Sequence, residues 1–171
     1  VADRVYFGGT EEPWTPHQWE VAVGTLREAH RLSVAQGAEF LVVYVPRKFR
    51  VYREFLAISP GASIAAWTIN DLPQALGDWC AQNGMSFVDT TPRLREVAAR
   101  GEHPYFVDDV HWNALGHATA AAVVIDFLRS ARMFPFASDN GLERRADVAP
   151  AVRQSTAQGR EVLGTGSGVS R

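Results

Sequence analysis

The chain has 171 residues, of which 46% are apolar and 21% are charged, and its formal net charge is −2. This composition is typical of one globular domain with its own core, and it gives no electrostatic basis for binding nucleic acid or an anionic membrane. The single cysteine, Cys80, excludes an internal disulfide. No apolar run is long enough to span a bilayer.

The first part of the chain predicts a helix followed by a strand. Thr15 and Gln18 have the spacing of a capping box, so we expect a helix to begin at Thr15 and to end near Gly37. Residues 39–45 are a valine-rich apolar run, which is typical of a buried parallel strand. The other elements predicted here are a short strand or a lead-in over 4–7, and a loop with a short helix over 47–56.

The second part continues this alternation. Asn70 and Asp71 are interpreted as caps of a helix over 72–81, and the elements that follow are a strand over 86–89 and helices over 91–100 and 114–128. Alternating helices and strands favour an α/β fold with a parallel sheet.

From Phe136 the composition becomes polar, so we expect a domain over 1–135 and a polar tail over 136–171, with at most a short helix before a flexible end.

Residues 104–117 bring an acid, an imidazole and a helix start together. Asp109 and His111 are two residues apart, and side chains at such spacing in an extended segment point the same way. Asp109 can therefore hold one ring nitrogen of His111 as a donor, which is the orienting half of a Ser-His-Asp apparatus. Asp108 is the second choice of partner, because its spacing requires a turn. The alternative is that Asp109 binds only backbone amides and that His111 is a surface side chain.

The residues after His111 support the functional interpretation. Trp112 is expected to shield the pair from solvent and is a candidate substrate contact, and Asn113 is a good N-cap for the next helix. A helix N-terminus disfavours a protonated imidazole by about 0.3–1 kcal/mol. A paired carboxylate favours it by roughly 1.4–4 kcal/mol. The carboxylate dominates, so a histidine at this place can serve as a general base.

A cluster of basic residues follows the first predicted strand. Arg47, Lys48 and Arg50 are candidates for binding an anionic sugar or another acyl acceptor, and Arg53 lies close by. The alternative is a solvated basic face with Glu54 as its partner.

A metal site is the less favoured interpretation of the histidine-rich stretch. The spacings of His103, His111 and His117 match no short ligand motif, even with Asp108 and Asp109 nearby. We therefore predict no metal and no cofactor.

Three segments resemble the SGNH (GDSL-type) hydrolases and their O-acetyltransferase relatives. Residues 109–117 (DVHWNALGH) are similar to the last motif block of that superfamily. Residues 37–52 (GAEFLVVYVPRKFRVY) are similar to its strand and P-x-K-x-x-x-Y segment, including the alginate O-acetyltransferase-like branch. Residues 87–94 (FVDTTPRL) resemble the strand and helix start before the last block.

The resemblance implies a three-layer α/β/α flavodoxin-like fold, with His111 as catalytic base and Asp109 as its orienting acid. It implies a serine-dependent ester hydrolase or O-acyltransferase that acts on an acylated carbohydrate or a small ester, without a cofactor and without a nucleic-acid partner. It makes the cell envelope or periplasm a candidate location. The oligomeric state is left open.

The chain departs from this pattern at the nucleophile, because it contains no Gly-Asp-Ser block. Residues 68–71 (TIND) echo the Gly-x-Asn-Asp block without its glycine, and nothing marks Ser63, Ser167 or Ser170 as activated. We therefore expect an incomplete domain whose serine lies outside these 171 residues. The serine block precedes the last block in most of the superfamily and follows it in the acetyltransferase branch; we favour the former. The chain alone is expected to be inactive, and the alternative function is a non-catalytic module that binds a glycan or a partner.

Overall fold

The computed structural model describes residues 6–133, in which helices and strands alternate along the chain. The elements are α1 (Pro16–Ala35), β1 (Leu41–Tyr44), α2 (Lys48–Tyr52), α3 (Leu72–Gln82), β2 (Ser86–Asp89), α4 (Thr91–Ala99) and α5 (Ala114–Ser130), with short 3-10 helices at Arg53–Phe55 and Ser63–Ala66. The predicted tail over 136–171 lies outside the described residues, as does the start of the predicted strand over 4–7. Tyr6 and Phe7 are not in a strand.

The strands β1 and β2 pair in parallel, with Leu41 opposite Ser86 and Tyr44 opposite Asp89. The prediction of an α/β fold with a parallel sheet is therefore confirmed. Just beyond the paired residues, the hydroxyl group of Thr90 donates a hydrogen bond of 2.8 Å to the carbonyl oxygen of Tyr44. This bond holds the carboxyl ends of the two strands together, where α/β folds usually form their sites.

The prediction that both strands are buried is wrong in part. In β1 only Val42 is buried, and Val43 is 38% exposed. All four residues of β2 are half-buried. A valine-rich run predicts a strand, because branched side chains favour that conformation. Whether the strand is buried depends also on what packs against each face. The face of β1 that carries Val43 is therefore less covered than the face that carries Val42.

Two clusters of buried side chains form the core. One joins α2 and α4 to the segment before α5 and contains Val51, Leu94, Ala98 and Tyr105. The other joins β1 to α3 and contains Val42, Cys80 and Met85. Cys80 is fully buried as predicted, and burial raises the pKa of its thiol, so it is a packing residue and not an activated nucleophile.

The start of α1 follows the predicted capping box. The backbone N–H of Gln18 donates to the hydroxyl of Thr15 (3.2 Å), and the backbone N–H of Thr15 donates to the side chain of Gln18 (2.9 Å). Two N–H groups that the helix cannot satisfy by itself are thereby paired. The helix ends just before Gly37, which has a φ of +70° as a residue after a helix often does.

The start of α3 corrects the interpretation of Asn70 and Asp71 as a pair of caps. Asp71 occupies the N-cap position, but its side chain makes no capping hydrogen bond. The side-chain oxygen of Asn70 accepts from the backbone N–H of Leu72 (3.2 Å) and also from the guanidinium group of Arg50 (2.8 Å). Asn70 therefore connects α3 to the interior as well as capping it.

None of the described helices has the length and apolar character needed to cross a membrane.

Candidate active site

The predicted site lies on a narrow loop between α4 and α5. Tyr105 and Trp112 form an antiparallel bridge, and the backbone N–H of Phe106 donates to the carbonyl oxygen of His111 (3.1 Å). The backbone N–H of Asn113 also donates to the carbonyl oxygen of Pro104 (3.1 Å). These bonds hold the two ends of the segment side by side, so that residues 106–111 form its turn; we call residues 106–111 the site loop.

Asp109 and His111 are in direct contact on the site loop. The Oδ1 atom of Asp109 lies 2.7 Å from Nδ1 of His111. The same oxygen accepts from the backbone N–H of Val110 (2.5 Å) and from that of His111 (3.3 Å). The hydrogen bond from His111, with the two backbone bonds, holds the pKa of the Asp109 carboxyl below its usual range although burial opposes it. Asp109 thus stays a carboxylate and fixes the orientation of the ring.

The dyad of Asp109 and His111 is open to solvent. The His111 side chain is 78% exposed and the Asp109 side chain is 47% exposed. Among residues 6–133, Asp109 is the only side chain that His111 contacts by a hydrogen bond, so its second ring nitrogen, Nε2, has no described partner. This nitrogen is the atom that a general base in this arrangement would use.

The prediction that Trp112 shields the pair is wrong. Neighbouring side chains of an extended segment point to opposite sides, and Trp112 faces the interior while His111 faces solvent. The indole ring packs edge-on against Tyr105 (6.5 Å between centroids) and against His117 (5.6 Å). Trp112 therefore anchors the loop to the core and leaves the dyad uncovered.

The start of α5 is capped by Asn113 as predicted, and it packs against residues 103–104, which precede the site loop. The side-chain oxygen of Asn113 accepts from the backbone N–H groups of Leu115 (3.0 Å) and Gly116 (3.1 Å), and its amide donates to the carbonyl oxygen of His103 (2.5 Å). A Cβ atom at Gly116 would lie only 2.1 Å from the carbonyl oxygen of Pro104. The glycine lets the helix approach the backbone of Pro104, a role that its position in the helix did not suggest.

The basic cluster divides into one exposed and two buried residues. Arg47 is exposed, and its guanidinium group donates to the carbonyl oxygen of Thr10 (3.3 Å). Lys48 and Arg50 are only 2% and 6% exposed. The alternative of a solvated face is therefore wrong for these two residues, and Glu54 pairs instead with Arg95 (3.3 Å).

All three N–H groups of Lys48 have partners, and Arg50 donates through Nε and Nη2. The ammonium group of Lys48 binds carbonyl oxygens of the site loop, and the guanidinium group of Arg50 binds Glu11 and Asn70. The sequence predicted Lys48 and Arg50 as substrate-binding residues. The structure places Lys48 beneath the site loop and Arg50 in the interior against Glu11 and Asn70. The partner Glu11 was missed, because it lies 39 residues away and no local pattern marks it.

The histidines of this region lie apart. His117 packs on Trp112, and the ring of His103 lies 6.4 Å from that of Tyr52. Within residues 6–133, no group of three or more histidine, cysteine, aspartate or glutamate side chains is arranged to hold a metal ion.

The described residues present no serine to the dyad. Ser63 begins a 3-10 helix and makes no hydrogen bond with His111. Ser167 and Ser170 lie outside the described residues.

The fold and the matching family define the class of this protein as an SGNH hydrolase-like domain. Residues 15–159 match the family described as "SGNH hydrolase-like domain, acetyltransferase AlgX", and the chain belongs to that family. The resemblance seen in the sequence is thereby confirmed, together with its acetyltransferase branch.

A solved structure shows the same fold. The O-acetyltransferase domain of Pseudomonas putida AlgJ is similar to this chain with a TM-score of 0.59 and 21% sequence identity, over 78% of this chain. The chain spans 47% of the length of that protein. No curated protein sequence matches the chain.

Proposed function

We propose that this protein is an O-acyltransferase that moves an acyl group, most simply acetyl, onto a carbohydrate hydroxyl. The observation that carries the proposal is the 2.7 Å contact between Asp109 and His111, with no described partner on Nε2. A base held in this way is ready to take a proton from a hydroxyl group. Membership in a family described as an acetyltransferase supports transfer as the outcome.

In the proposed first step, Nε2 of His111 removes the proton of a serine hydroxyl supplied from outside residues 6–133. The serine oxygen forms a bond to the acyl carbon, and the leaving group of the donor departs with the proton that His111 carries. In the second step His111 takes the proton of a sugar hydroxyl, whose oxygen attacks the acyl carbon; the bond from that carbon to the serine oxygen breaks, and the serine takes the proton back from His111. Asp109 stays ionised throughout and stabilises the imidazolium that forms in each step.

The acceptor is proposed to bind in a cleft of about 470 Å³ at the carboxyl end of β1. Arg47, Trp14 and Tyr44 line this cleft, so it offers a cation and aromatic faces. Arg47 directly precedes Lys48, whose ammonium group binds the carbonyl oxygen of Asp109. Because Arg47 is next in the chain to a residue that binds the site loop, it remains a candidate for binding the acceptor.

The second candidate function is a non-catalytic module that binds a glycan or a partner. The observation that favours it is that no described serine contacts His111. Such a protein would keep the fold and the dyad without forming an acyl-enzyme.

The test is to incubate the full-length protein with p-nitrophenyl acetate, alone and with a mixture of oligosaccharides, and to analyse protein and sugars by mass spectrometry. We expect an acetylated serine on the protein and acetylated oligosaccharide, with less free acetate when sugar is present. Acetate release that sugar does not reduce would indicate an esterase. Absence of any acetyl-serine and of turnover would contradict the enzyme and favour the binding module.

A further inference from the structure

The ammonium group of Lys48 lies directly beneath the site loop. Its Nζ atom donates to the carbonyl oxygens of Phe106 (2.6 Å), Val107 (2.8 Å) and Asp109 (3.1 Å). An ammonium group has three N–H bonds, so each of them has one loop carbonyl as its partner. The side chain is 2% exposed and is therefore not available to substrate.

The site loop has little packing of its own to hold this shape. The side chains of Phe106 and Val107 are 50% and 51% exposed, so they add little buried apolar area. Their carbonyl groups point inward instead, where a polar group without a partner is costly. Lys48 is the one described side chain that binds these three oxygens, and the backbone N–H of Tyr6 donates a further bond to the carbonyl oxygen of Val107 (3.1 Å).

Asp109 is the residue through which Lys48 reaches the dyad. Its backbone carbonyl accepts from Lys48, while its carboxylate accepts from His111 and from the backbone N–H of Val110. Because both ends of Asp109 are held, its carboxylate has little freedom to turn away from the imidazole ring. A shift of about 1 Å in such a group can cost roughly 10²-fold in rate.

The position of Lys48 is fixed by the helix α2, of which it is the first residue. It opens α2, and the next residues of that helix, Phe49 and Val51, are fully buried. The centre of the Phe7 ring lies 5.5 Å from the Nζ atom. Burial lowers the pKa of the ammonium group, while the carboxylates of Asp108 and Asp109 favour its charged form. The buried neighbours of Lys48 in α2 therefore fix the position of its ammonium group.

We propose that Lys48 is a positioning residue for the dyad: by binding three carbonyl oxygens of the site loop, it holds Asp109 where its carboxylate orients His111. Lys48 touches neither substrate nor the transferred proton, and it acts through Asp109. The catalytic part of this inference rests on the proposed function, whereas the structural part does not.

The test compares the wild-type full-length protein with Lys48→Met, which keeps the length of the side chain and removes its donors. Long-range 1H–15N spectra, recorded at about pH 9 where a histidine is ordinarily neutral, report which ring nitrogen of His111 carries the proton. We expect the Nδ1–H form in the wild type and a substantial Nε2–H population in the variant. We also expect kcat to fall about 10- to 100-fold with KM changed less than about twofold.

Two further variants separate positioning from general destabilisation. Lys48→Gln keeps two N–H donors without the charge and is expected to give smaller effects of the same kind, and it replaces Lys48→Met if that protein does not fold. Met85→Ala weakens the separate core cluster around Cys80 and is expected to leave the ring proton on Nδ1.

An unchanged Nδ1–H form in both Lys48 variants would overturn the proposal, and so would a Met85→Ala protein with the same spectral change. If the wild type transfers no acyl group, the proposed function fails, but the spectra still decide whether Lys48 holds the dyad.

Discussion

Replacing His111 with alanine is expected to lower kcat for acyl transfer by about 10³-fold while leaving the fold intact. General base catalysis by a positioned side chain contributes typically 10²–10⁴-fold. The side chain is 78% exposed, and its one described side-chain partner is Asp109. A substitution at so exposed a place usually changes the free energy of unfolding by less than about 0.5 kcal/mol. The variant should therefore lose activity while its free energy of unfolding stays nearly unchanged.

His103→Ala is the matched control, because His103 is an exposed histidine before the same loop and binds Asn113 through its backbone only. It should keep nearly full activity. Steady-state kinetics and urea denaturation of both full-length variants make the comparison. A His111→Ala protein with more than about a tenth of wild-type kcat would contradict the assignment of His111 as base.

Replacing Glu11 with alanine is expected to lower the free energy of unfolding by about 3–5 kcal/mol, because it leaves the Arg50 guanidinium buried without its counter-charge. The side chains of Arg50 and Glu11 are only 7% and 4% exposed. The guanidinium binds both carboxylate oxygens of Glu11, with 3.1 Å between Nε and Oε1. It also holds Asn70, so the loss reaches the start of α3.

The control is the exposed ion pair between Arg93 and Glu96 on α4, in which both side chains are 56% exposed. Glu96→Ala should cost less than about 1 kcal/mol, because solvent screens such a pair. The double variant Glu11→Leu/Arg50→Met should recover much of the loss, since apolar side chains can replace a buried pair. Equal costs for Glu11→Ala and Glu96→Ala in urea denaturation would show that the buried pair contributes no more than a surface one.

The features that could be predicted from the sequence are those set by residues close together in the chain. The capping box of Thr15 and Gln18 and the cap at Asn113 depend on bonds across two or three residues. The contact between Asp109 and His111 follows from the alternation of side chains in an extended segment. Each of these can be read locally because the backbone geometry alone brings the partners together.

The features that were missed depend on residues far apart in the chain. Lys48 and Arg50 follow a strand and look like a solvated face, and only the carbonyl oxygens near residue 106 and the carboxylate of Glu11 explain why they are buried. Gly116 looks like a weak point of a helix until Pro104 is placed against it. The exposure of Val43 depends on what covers the sheet, which strand composition does not encode.

The central claim is that Asp109 and His111 act as one unit, and a kinetic double-mutant cycle tests it most directly. Asp109→Asn, His111→Ala and the double variant of the full-length protein are compared by kcat/KM, with Asp108→Asn as the matched acid that makes no hydrogen bond to the ring. Residues that act together show strongly non-additive losses. We predict that the double variant is no slower than His111→Ala. A double variant slower by the product of the two single losses would contradict the account.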